Sequence, residues 1–257
     1  MLIILIIIGL IMIFLLFLSK QKTYWLPPKK GLVVLMYHHI GAITKQTEAG
    51  FFINEEMFSA QLEQLLDSGY TFLSFSDVEN AYKEKKPLPP KSVLITFDDG
   101  WKDNFTAAYP ILKEKKIKAN IFLNVGDISA KKDFLSWEEV SEMFNGGLIE
   151  FASHGMNHRR LRSLTNTEIK KELLESKKIL ENKLGCEVKS FCYPYGAVDK
   201  RVRSLVFESG YIIDYGTRKG INSWPWNAKH PIKRAHIMAG ESLADFHLQL
   251  TRGRYKL

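Results

Sequence analysis

Short apolar runs rich in β-branched and aromatic residues alternate with longer amphipathic stretches along most of the chain. Eight of these runs predict β-strands, and they cover residues 32–37, 71–74, 93–97, 119–123, 148–152, 190–193, 211–214 and 232–237. Repeated alternation of strand and helix patterns is typical of a parallel sheet with helices on its outer faces. The pattern therefore predicts an α/β fold, and it leaves open whether the sheet closes into a barrel.

Two of the intervening stretches carry clear helical signals. The first has apolar side chains at helical spacing, namely Phe58, Leu62, Leu65 and Leu66. In the second, Thr165 followed by Glu168 is a capping-box pattern, and it predicts a helix that begins there and runs to Leu184.

The beginning of the chain differs from the rest. Residues 2–18 form an unbroken apolar run, near the lower length limit for a helix that spans a bilayer. A cleaved signal peptide is the alternative, but no small-x-small cleavage pattern precedes Lys20 and a basic N-terminal region is missing. We therefore expect an uncleaved transmembrane anchor over residues 1–19.

The rest of the chain divides into a tether and one folded domain. Residues 20–30 contain Pro27 and Pro28, which disfavour both helix and central strand, so this segment is expected to be a linker. No internal repeat follows, and residues 31–257 are expected to form a single domain. Lysines at positions 20, 22, 29 and 30 flank the anchor, and the positive-inside rule alone would place this flank in the cytoplasm.

Charge and cysteine content narrow the classes of function only slightly. The formal net charge of +8 favours contact with anionic lipid, wall polymer or nucleic acid. Lysines are interspersed with glutamates, as in residues 170–189, and no arginine-rich arm or zinc-knuckle spacing occurs, so no nucleic-acid partner is expected. Cys186 and Cys192 are too few for a disulfide framework, although a bond between them is left open.

The strongest polar cluster follows the predicted strand 93–97. Asp98 and Asp99 are adjacent carboxylates followed by Gly100. Neighbouring acids repel each other unless a cation or a proton lies between them, which suits the pair to the roles of metal ligand and general base. An Asp-Gly turn that caps the next helix accounts for the same residues equally well.

A second cluster follows the predicted strand 148–152. His154 and His158 are four residues apart, and they share one face if the loop turns helically. With Asp99 they would form a set of two histidines and one carboxylate that leaves positions open for water and substrate, as a catalytic metal site requires. Solvent-exposed histidines are the alternative, and the combination with Asp98 and Asp99 at another strand end favours the metal site.

A third cluster, Phe-Cys-Tyr-Pro-Tyr-Gly at residues 191–196, follows the predicted strand that begins at Ser190. Alone, this sequence would indicate only a turn. Together, Thr-Phe-Asp-Asp-Gly at 96–100, Ser-His-Gly-Met-Asn-His at 153–158 and Tyr-Pro-Tyr-Gly at 193–196 resemble the polysaccharide deacetylase family, also called the NodB-homology or family-four carbohydrate esterases. The resemblance extends over about residues 32–250, and the first two motifs together are highly specific to this family.

Further matches resemble one subgroup, the secreted or membrane-attached poly-N-acetylglucosamine deacetylases. These are Val-Leu-Met-Tyr-His-His at 34–39, Leu-Ser-Trp-Glu at 135–138 and the third motif. The resemblance implies a distorted (β/α) barrel of parallel strands with helices outside, which agrees with the alternation of strands and helices.

The resemblance also implies roles for individual residues. Asp98 would be the general base, and Asp99, His154 and His158 would be the metal ligands. By the same analogy, the backbone N–H of Tyr195 would help to hold the tetrahedral oxyanion, with Pro194 shaping the turn that binds substrate.

Two positions depart from the pattern of the family. Many relatives have an arginine two residues before the proline of the third motif, where this chain has Cys192, so a different group must orient Asp98 here. The late Leu-x-His motif that supplies a general acid in relatives is also not intact. His236 is the candidate for this catalytic role, and a surface position on the strand is the alternative. Trp224 is a candidate for stacking on a sugar ring, although burial is the commoner fate of tryptophan.

The resemblance implies an enzyme that hydrolyses N-acetyl groups on N-acetylglucosamine units of exopolysaccharide or peptidoglycan. We therefore expect a polysaccharide partner and a single-pass protein of the cell membrane with an extracytoplasmic domain. Zn²⁺ is the default cofactor, although imidazole and carboxylate ligands also accept Co²⁺, Ni²⁺, Fe²⁺ or Mn²⁺. A non-catalytic glycan-binding relative and an amide hydrolase acting on small molecules are the alternatives.

Overall fold

The computed structural model describes residues 28–253 together with residue 12. The predicted anchor therefore lies outside the described residues except for Met12, and so does most of the predicted linker. Within the described part of the chain, no helix combines the length and the apolar character that crossing a bilayer requires.

A parallel sheet forms the centre of residues 28–253. Its strands are β1 (Val33–Tyr37), β4 (Thr71–Phe72), β5 (Ser92–Phe97), β6 (Ala119–Leu123), β7 (Ile149–Ser153), β8 (Ser190–Cys192), β9 (Ile213–Tyr215) and β10 (Ala235–His236). The order across the sheet is β10-β1-β5-β6-β7-β8-β9, and β4 also pairs with β5. β1 and β5 are almost entirely apolar and fully buried, as expected of strands covered on both faces.

The segment that contains β10 contacts strands at both ends of this order, β1 and β9. Ala235 and His236 pair with β1, while Ile232 forms a parallel bridge to Tyr215 at the end of β9. The curved sheet and the helices around it form a parallel α/β half-barrel, which confirms the predicted class. In such folds the loops at the carboxyl ends of the strands meet at one face.

Helices cover the sheet on its outer side. They are α1 (Glu55–Asp67), α2 (Phe75–Lys83), α3 (Tyr109–Glu114), α4 (Trp137–Asn145), α5 (Asn166–Leu184), α6 (Lys200–Glu208) and α7 (Leu243–Arg252). The predicted start of α5 is confirmed, because the Thr165 hydroxyl accepts from the Glu168 N–H and the Glu168 carboxylate accepts from the Thr165 N–H. The predicted apolar face of α1 needs one correction. Phe58, Leu62 and Leu65 are fully buried, but Leu66 is 44% exposed.

All eight predicted strands are present, each within about three residues of its predicted limits. The sequence pattern missed a small two-stranded sheet of β2 (His39–Ile40) and β3 (Phe52–Ile53). Strands of two residues are too short for a period-two pattern to be visible.

Candidate active site

The first motif forms a tight turn at the carboxyl end of β5. Asp98 continues the strand, and its N–H donates to the carbonyl of Tyr37 on β1 at 3.0 Å. Asp99 and Gly100 both have positive φ, at 77° and 84°. A Cβ at position 100 would lie 2.6 Å from Leu123 Cδ2, so glycine permits the turn to press against β6. This turn points the two carboxylates in different directions.

The two histidines lie on the loop after β7, and a buried carboxylate from α5 holds that loop. Glu172 Oε2 accepts from the N–H groups of Met156 at 3.0 Å and Asn157 at 2.8 Å, and Oε1 accepts from Asn157 Nδ2 at 2.9 Å. Glu172 is 4% exposed. Three donors on one buried carboxylate fix the backbone between His154 and His158.

The structure brings Asp99, His154 and His158 together, with their ligand atoms within 4.8 Å of one another. Asp99 Oδ1 lies 3.1 Å from His158 Nε2 and 3.5 Å from His154 Nε2. This buried oxygen has no hydrogen bond of good geometry, whereas Oδ2 accepts from Trp101 Nε1 at 3.1 Å. One carboxylate oxygen is thus anchored and the other faces the two imidazoles.

A hydrogen bond to a backbone carbonyl sets the tautomer of the His154 ring. Its Nδ1 lies 2.9 Å from the carbonyl oxygen of Cys192, which can only accept, so Nδ1 carries the proton. Nε2 therefore presents a lone pair toward Asp99. A ligating histidine whose other nitrogen donates to a carbonyl is the usual arrangement in metal sites. The donor set of two imidazoles and a carboxylate with an unpartnered oxygen fits a divalent transition-metal ion.

Asp98 makes a buried, two-pronged ion pair with Arg234. Arg234 Nη1 lies 2.6 Å from Asp98 Oδ1 and Nη2 lies 2.7 Å from Oδ2. Arg234 is fully buried, and it also donates to the carbonyl of Gly216 at 2.9 Å and to Cys192 Sγ at 3.0 Å. The group that orients Asp98 is therefore an arginine two residues before His236, whereas many relatives carry an arginine at the position of Cys192.

Burial and nearby charges determine which groups of this cluster are ionised at pH 7. Burial raises the pKa of Asp98, but the charge and hydrogen bonds of Arg234 outweigh it and hold that pKa below its usual value. The pKa of Asp99 is also lowered, because contacts with His158, His154 and His38 outweigh burial. Burial lowers the pKa of His154 to about 4, which keeps its imidazole neutral at pH 7. Both carboxylates are thus ionised beside a neutral imidazole.

These groups line an open cavity of about 590 Å³ at the carboxyl ends of the strands. Tyr195 stands at its mouth, 53% exposed, with φ of 57°. Its ring lies 4.5 Å from the ring of His158, and the guanidinium of Arg160 lies 4.0 Å from the ring centre on the cavity wall. Tyr195 is thus held by two neighbouring side chains and still exposes about half of its surface at the mouth of the cavity.

The other predicted site residues differ in whether they line the cavity. His236 lines the cavity, and its Nε2 lies 2.7 Å from the carbonyl of Thr217, so Nε2 carries the ring proton. Burial lowers the pKa of His236 to about 4, so its imidazole is neutral at pH 7 with that proton directed at a carbonyl. This arrangement does not favour proton donation, and the role of His236 as general acid stays a prediction. Pro194 is buried in the turn that carries Tyr195.

Trp224 is not brought to the cavity. Its indole N–H donates to the carbonyl of Lys86 at 2.9 Å, before the start of β5 and so toward the opposite end of the sheet. The predicted stacking of Trp224 on a sugar ring therefore does not agree with its position. The aromatic groups that the cavity does expose come from other loops.

Sequence reasoning did not identify Arg234 or Glu172. Arg234 stands between Ile232 and the apolar pair Ala235 and Ile237 in a predicted strand, and a charge at such a position indicates a buried partner. Glu172 lies on a helix with many exposed acids, where no sequence signal distinguishes it.

Carboxylates and imidazoles that converge at the carboxyl ends of parallel strands are typical of an enzyme active site. The family profile described as polysaccharide deacetylase matches residues 85–212. A relative from Bacillus subtilis (strain 168), YxkH, which carries the name of a polysaccharide deacetylase, is 31% identical over 230 residues, which are 89% of this chain and 80% of the relative. The chain belongs to the polysaccharide deacetylase family and is an enzyme of that family.

Two further comparisons agree with this assignment. The poly-beta-1,6-N-acetyl-D-glucosamine N-deacetylase of Staphylococcus aureus (strain MSSA476) is 30% identical over 176 residues, which are 64% of this chain and 60% of that protein. The chain thus spans less than two thirds of that relative. The structure of the Streptococcus pyogenes deacetylase PplD in complex with acetate superposes with a TM-score of 0.79 at 28% identity, covering 88% of this chain and 99% of that one.

Proposed function

We propose that this enzyme removes N-acetyl groups from N-acetylglucosamine units of an extracellular or cell-wall polysaccharide, with a divalent metal ion, and releases acetate. One observation carries the proposal. The ionised carboxylate of Asp98, held by Arg234, stands beside the group of Asp99, His154 and His158 in an open cavity. A base next to a metal-ligand set is what hydrolysis of an amide requires.

Asp99, His154 and His158 would hold the ion, and Zn²⁺ is the first choice for two imidazoles and a carboxylate. A bound ion would polarise the acetyl carbonyl and lower the pKa of the attacking water. Co²⁺, Ni²⁺, Fe²⁺ and Mn²⁺ accept the same ligands.

The protein residues supply the remaining functions. Asp98 accepts the proton of the attacking water, and the ion pair with Arg234 keeps its carboxylate ionised and fixed in orientation. The backbone N–H of Tyr195 is the proposed donor to the oxyanion, and the positive φ of this residue turns its peptide away from the ordinary strand direction. His236 is the proposed acid for the leaving amine, in which case its ring must first leave the carbonyl of Thr217.

The polymer and the location belong to the same proposal. A relative is named for poly-beta-1,6-N-acetyl-D-glucosamine, and peptidoglycan contains the same acetylated sugar. Either substrate lies outside the cytoplasm, so we propose that residues 1–19 anchor the enzyme in the cell membrane with residues 31–257 on the outer side. The pairing of the β10 segment with both sheet edges supports a distorted (β/α) barrel as the frame of this domain.

The proposal is tested by incubating the full chain with acetylated polyglucosamine, chitin oligomers and peptidoglycan, with and without a chelator. We expect free amine and acetate to form in equal amounts from at least one polymer, and the chelator to stop the reaction. A chain that binds these glycans but releases no acetate with any of the five ions would contradict it.

A further inference from the structure

A second cavity lies beside the catalytic cavity. Its volume is about 490 Å³, and we call it the basic groove; its walls come from residues 196–207 around the start of α6, residues 216–218 after β9, and residues 229–231. Thr217 lines both cavities, and Tyr195 of the catalytic cavity is the immediate neighbour of Gly196 in the groove. The two cavities therefore share a wall.

The shared wall is thin because Gly196 packs directly against Thr217. A Cβ at position 196 would lie 2.0 Å from Thr217 Oγ1, and the φ of +63° also favours glycine. A polymer that places one sugar in the catalytic cavity can pass over this wall and place a neighbouring unit in the groove.

Positive charge dominates the lining of the groove. Arg203 is already neutralised, because its Nε and Nη2 contact the buried carboxylate of Asp214 at 2.6 and 2.9 Å. Lys200, Arg218 and Lys229 are exposed, and within residues 28–253 no carboxylate lies at ion-pair distance from any of the three. Three uncompensated cations around one cavity favour an anionic occupant.

The acidic side chain in the lining is engaged elsewhere. Asp199 accepts from the N–H of Val202 at 2.9 Å as the N-cap of α6, and it also lies 3.8 Å from Arg162. Even when the carboxylate of Asp199 is counted, the lining keeps a surplus of positive charge from Lys200, Arg218 and Lys229.

The groove also has an apolar floor. Val198, Phe207 and Pro231 are half-buried in its lining, and the guanidinium of Arg203 lies 5.0 Å from the ring centre of Phe207. A bare inorganic ion would leave this surface uncovered. A sugar ring that carries a negative substituent would cover it with its apolar face and direct its charge to the cations.

We propose that the basic groove binds a sugar unit bearing a phosphate or carboxylate group, next to the acetylated sugar in the catalytic cavity, so that the enzyme prefers anionic glycans. This inference rests on the proposed function, because it assumes that the substrate is a glycan chain.

The test compares three oligosaccharides of equal length built on N-acetylglucosamine: a neutral one, one with a single phosphorylated sugar, and one with a single carboxylated N-acetylmuramic acid unit. Acetate release is measured with the full chain and with the Lys200→Ala/Arg218→Ala/Lys229→Ala variant. We expect the unmodified enzyme to show a KM about 10-fold lower for at least one charged substrate, since each exposed ion pair contributes modestly. The comparison of the two charged substrates identifies the preferred anion. In the variant the three KM values should become equal, with kcat on the neutral substrate unchanged.

A matched control removes as many cations from positions that line neither cavity. The Lys113→Ala/Lys116→Ala/Lys178→Ala variant changes exposed lysines on and after α3 and on α5, outside both cavities, and it should keep the preference. Equal KM values in the unmodified enzyme, or a preference that the control variant loses equally, would overturn the proposal.

Binding without turnover separates this inference from the proposed function. The Asp98→Asn variant is titrated with each oligosaccharide by calorimetry. Tighter binding of a charged oligosaccharide that the triple groove variant abolishes, without acetate release by the unmodified enzyme, would support the groove and contradict the proposed function. Acetate release from the neutral substrate without any preference for the charged substrates would support the proposed function and contradict the proposed role of the groove.

Discussion

At the scale of single residues, the ion pair with Arg234 gives Asp98 surroundings that differ from those of Asp99. Asp98 lies beside the proposed metal ligands, but the guanidinium of Arg234 contacts both of its oxygens. Asp99 instead turns one oxygen to the two imidazoles. These different surroundings are the physical basis for proposing different roles for two adjacent carboxylates.

The Asp98→Asn variant tests the role of the base. Asparagine keeps the shape of the side chain but cannot accept the proton of the attacking water, so we expect kcat to fall by a factor of about 10² to 10⁴. Zinc content, measured by atomic absorption, should stay at the level of the unmodified enzyme. Loss of the metal together with activity would show that Asp98 is needed for binding the ion instead.

Arg234→Lys tests the positioning of that base. Lysine retains the charge but not the two-pronged contact, and a lost hydrogen bond to a charged group costs about 1.5–3 kcal/mol. If that loss falls on the transition state, kcat decreases about 10- to 150-fold. Arg201→Lys, at an exposed position on α6, is the control and should change kcat little. An unchanged kcat in Arg234→Lys would exclude a positioning role.

The sequence predicted which residues form the group of Asp99, His154 and His158, but it did not predict the side chains that support this group. Asp99, His154 and His158 occur in short motifs at strand ends, and the parallel fold brings those ends together. Arg234 contacts Asp98 across 136 positions of the chain. No local pattern encodes such a pair, and only the register of the β10 segment against β1 reveals it.

At the scale of elements, the loop between β7 and α5 is held by the helix that follows it. Glu172 fixes Met156 and Asn157, which lie between the two histidines. The pattern of apolar residues predicts where such helices run, but it does not tell which acid on α5 turns inward.

Glu172→Gln tests whether this contact maintains the metal-ligand geometry. Glutamine retains one acceptor, but its amide would face an N–H donor of the loop. Because outer-shell partners orient ligands, we expect the affinity for Zn²⁺ to fall about 10- to 100-fold, as measured by competition with a chromophoric chelator. Glu175→Gln, exposed on the same helix, should keep the affinity. A lower free energy of unfolding with unchanged affinity would indicate that Glu172 stabilises only the fold.

At the scale of the whole molecule, the two ends of the sheet differ in chemistry. The carboxyl ends of the strands carry the candidate active site. At the other end, β8 begins with Ser190, whose hydroxyl donates to Glu79 on α2 at 2.6 Å. Burial raises the pKa of Glu79 to about 7, and the Ser190 hydrogen bond offsets part of this effect. Glu79 is 8% exposed, so its ionised form is poorly solvated.

This carboxyl group makes stability depend on pH. Glu79 has a pKa of about 4.3 in the unfolded chain and about 7 in the folded chain. At pH values between these two, Glu79 binds a proton in the folded chain but not in the unfolded chain. The contribution of Glu79 to the free energy of unfolding therefore falls as pH rises through this window. Glu79→Gln should be more stable than the unmodified protein at pH 8, by about 1–3 kcal/mol, and nearly equal at pH 4.5.

Urea unfolding at the two pH values measures this difference. Glu114→Gln, at an exposed position on α3, is the control and should change the free energy of unfolding little at either pH. A stabilisation by Glu79→Gln that is the same at both pH values would mean that ionisation of Glu79 is not its cause.

The proposed reaction requires one metal ion held by Asp99, His154 and His158. The decisive measurement strips the full chain with a chelator and titrates Zn²⁺ back while acetate release from an N-acetylglucosamine oligomer is followed. We predict that activity disappears with the metal and returns to its maximum at one bound ion per chain, and that the Asp99→Ala variant neither binds the ion tightly nor recovers. Undiminished acetate release from the stripped chain, or tight binding and full recovery by Asp99→Ala, would contradict the account.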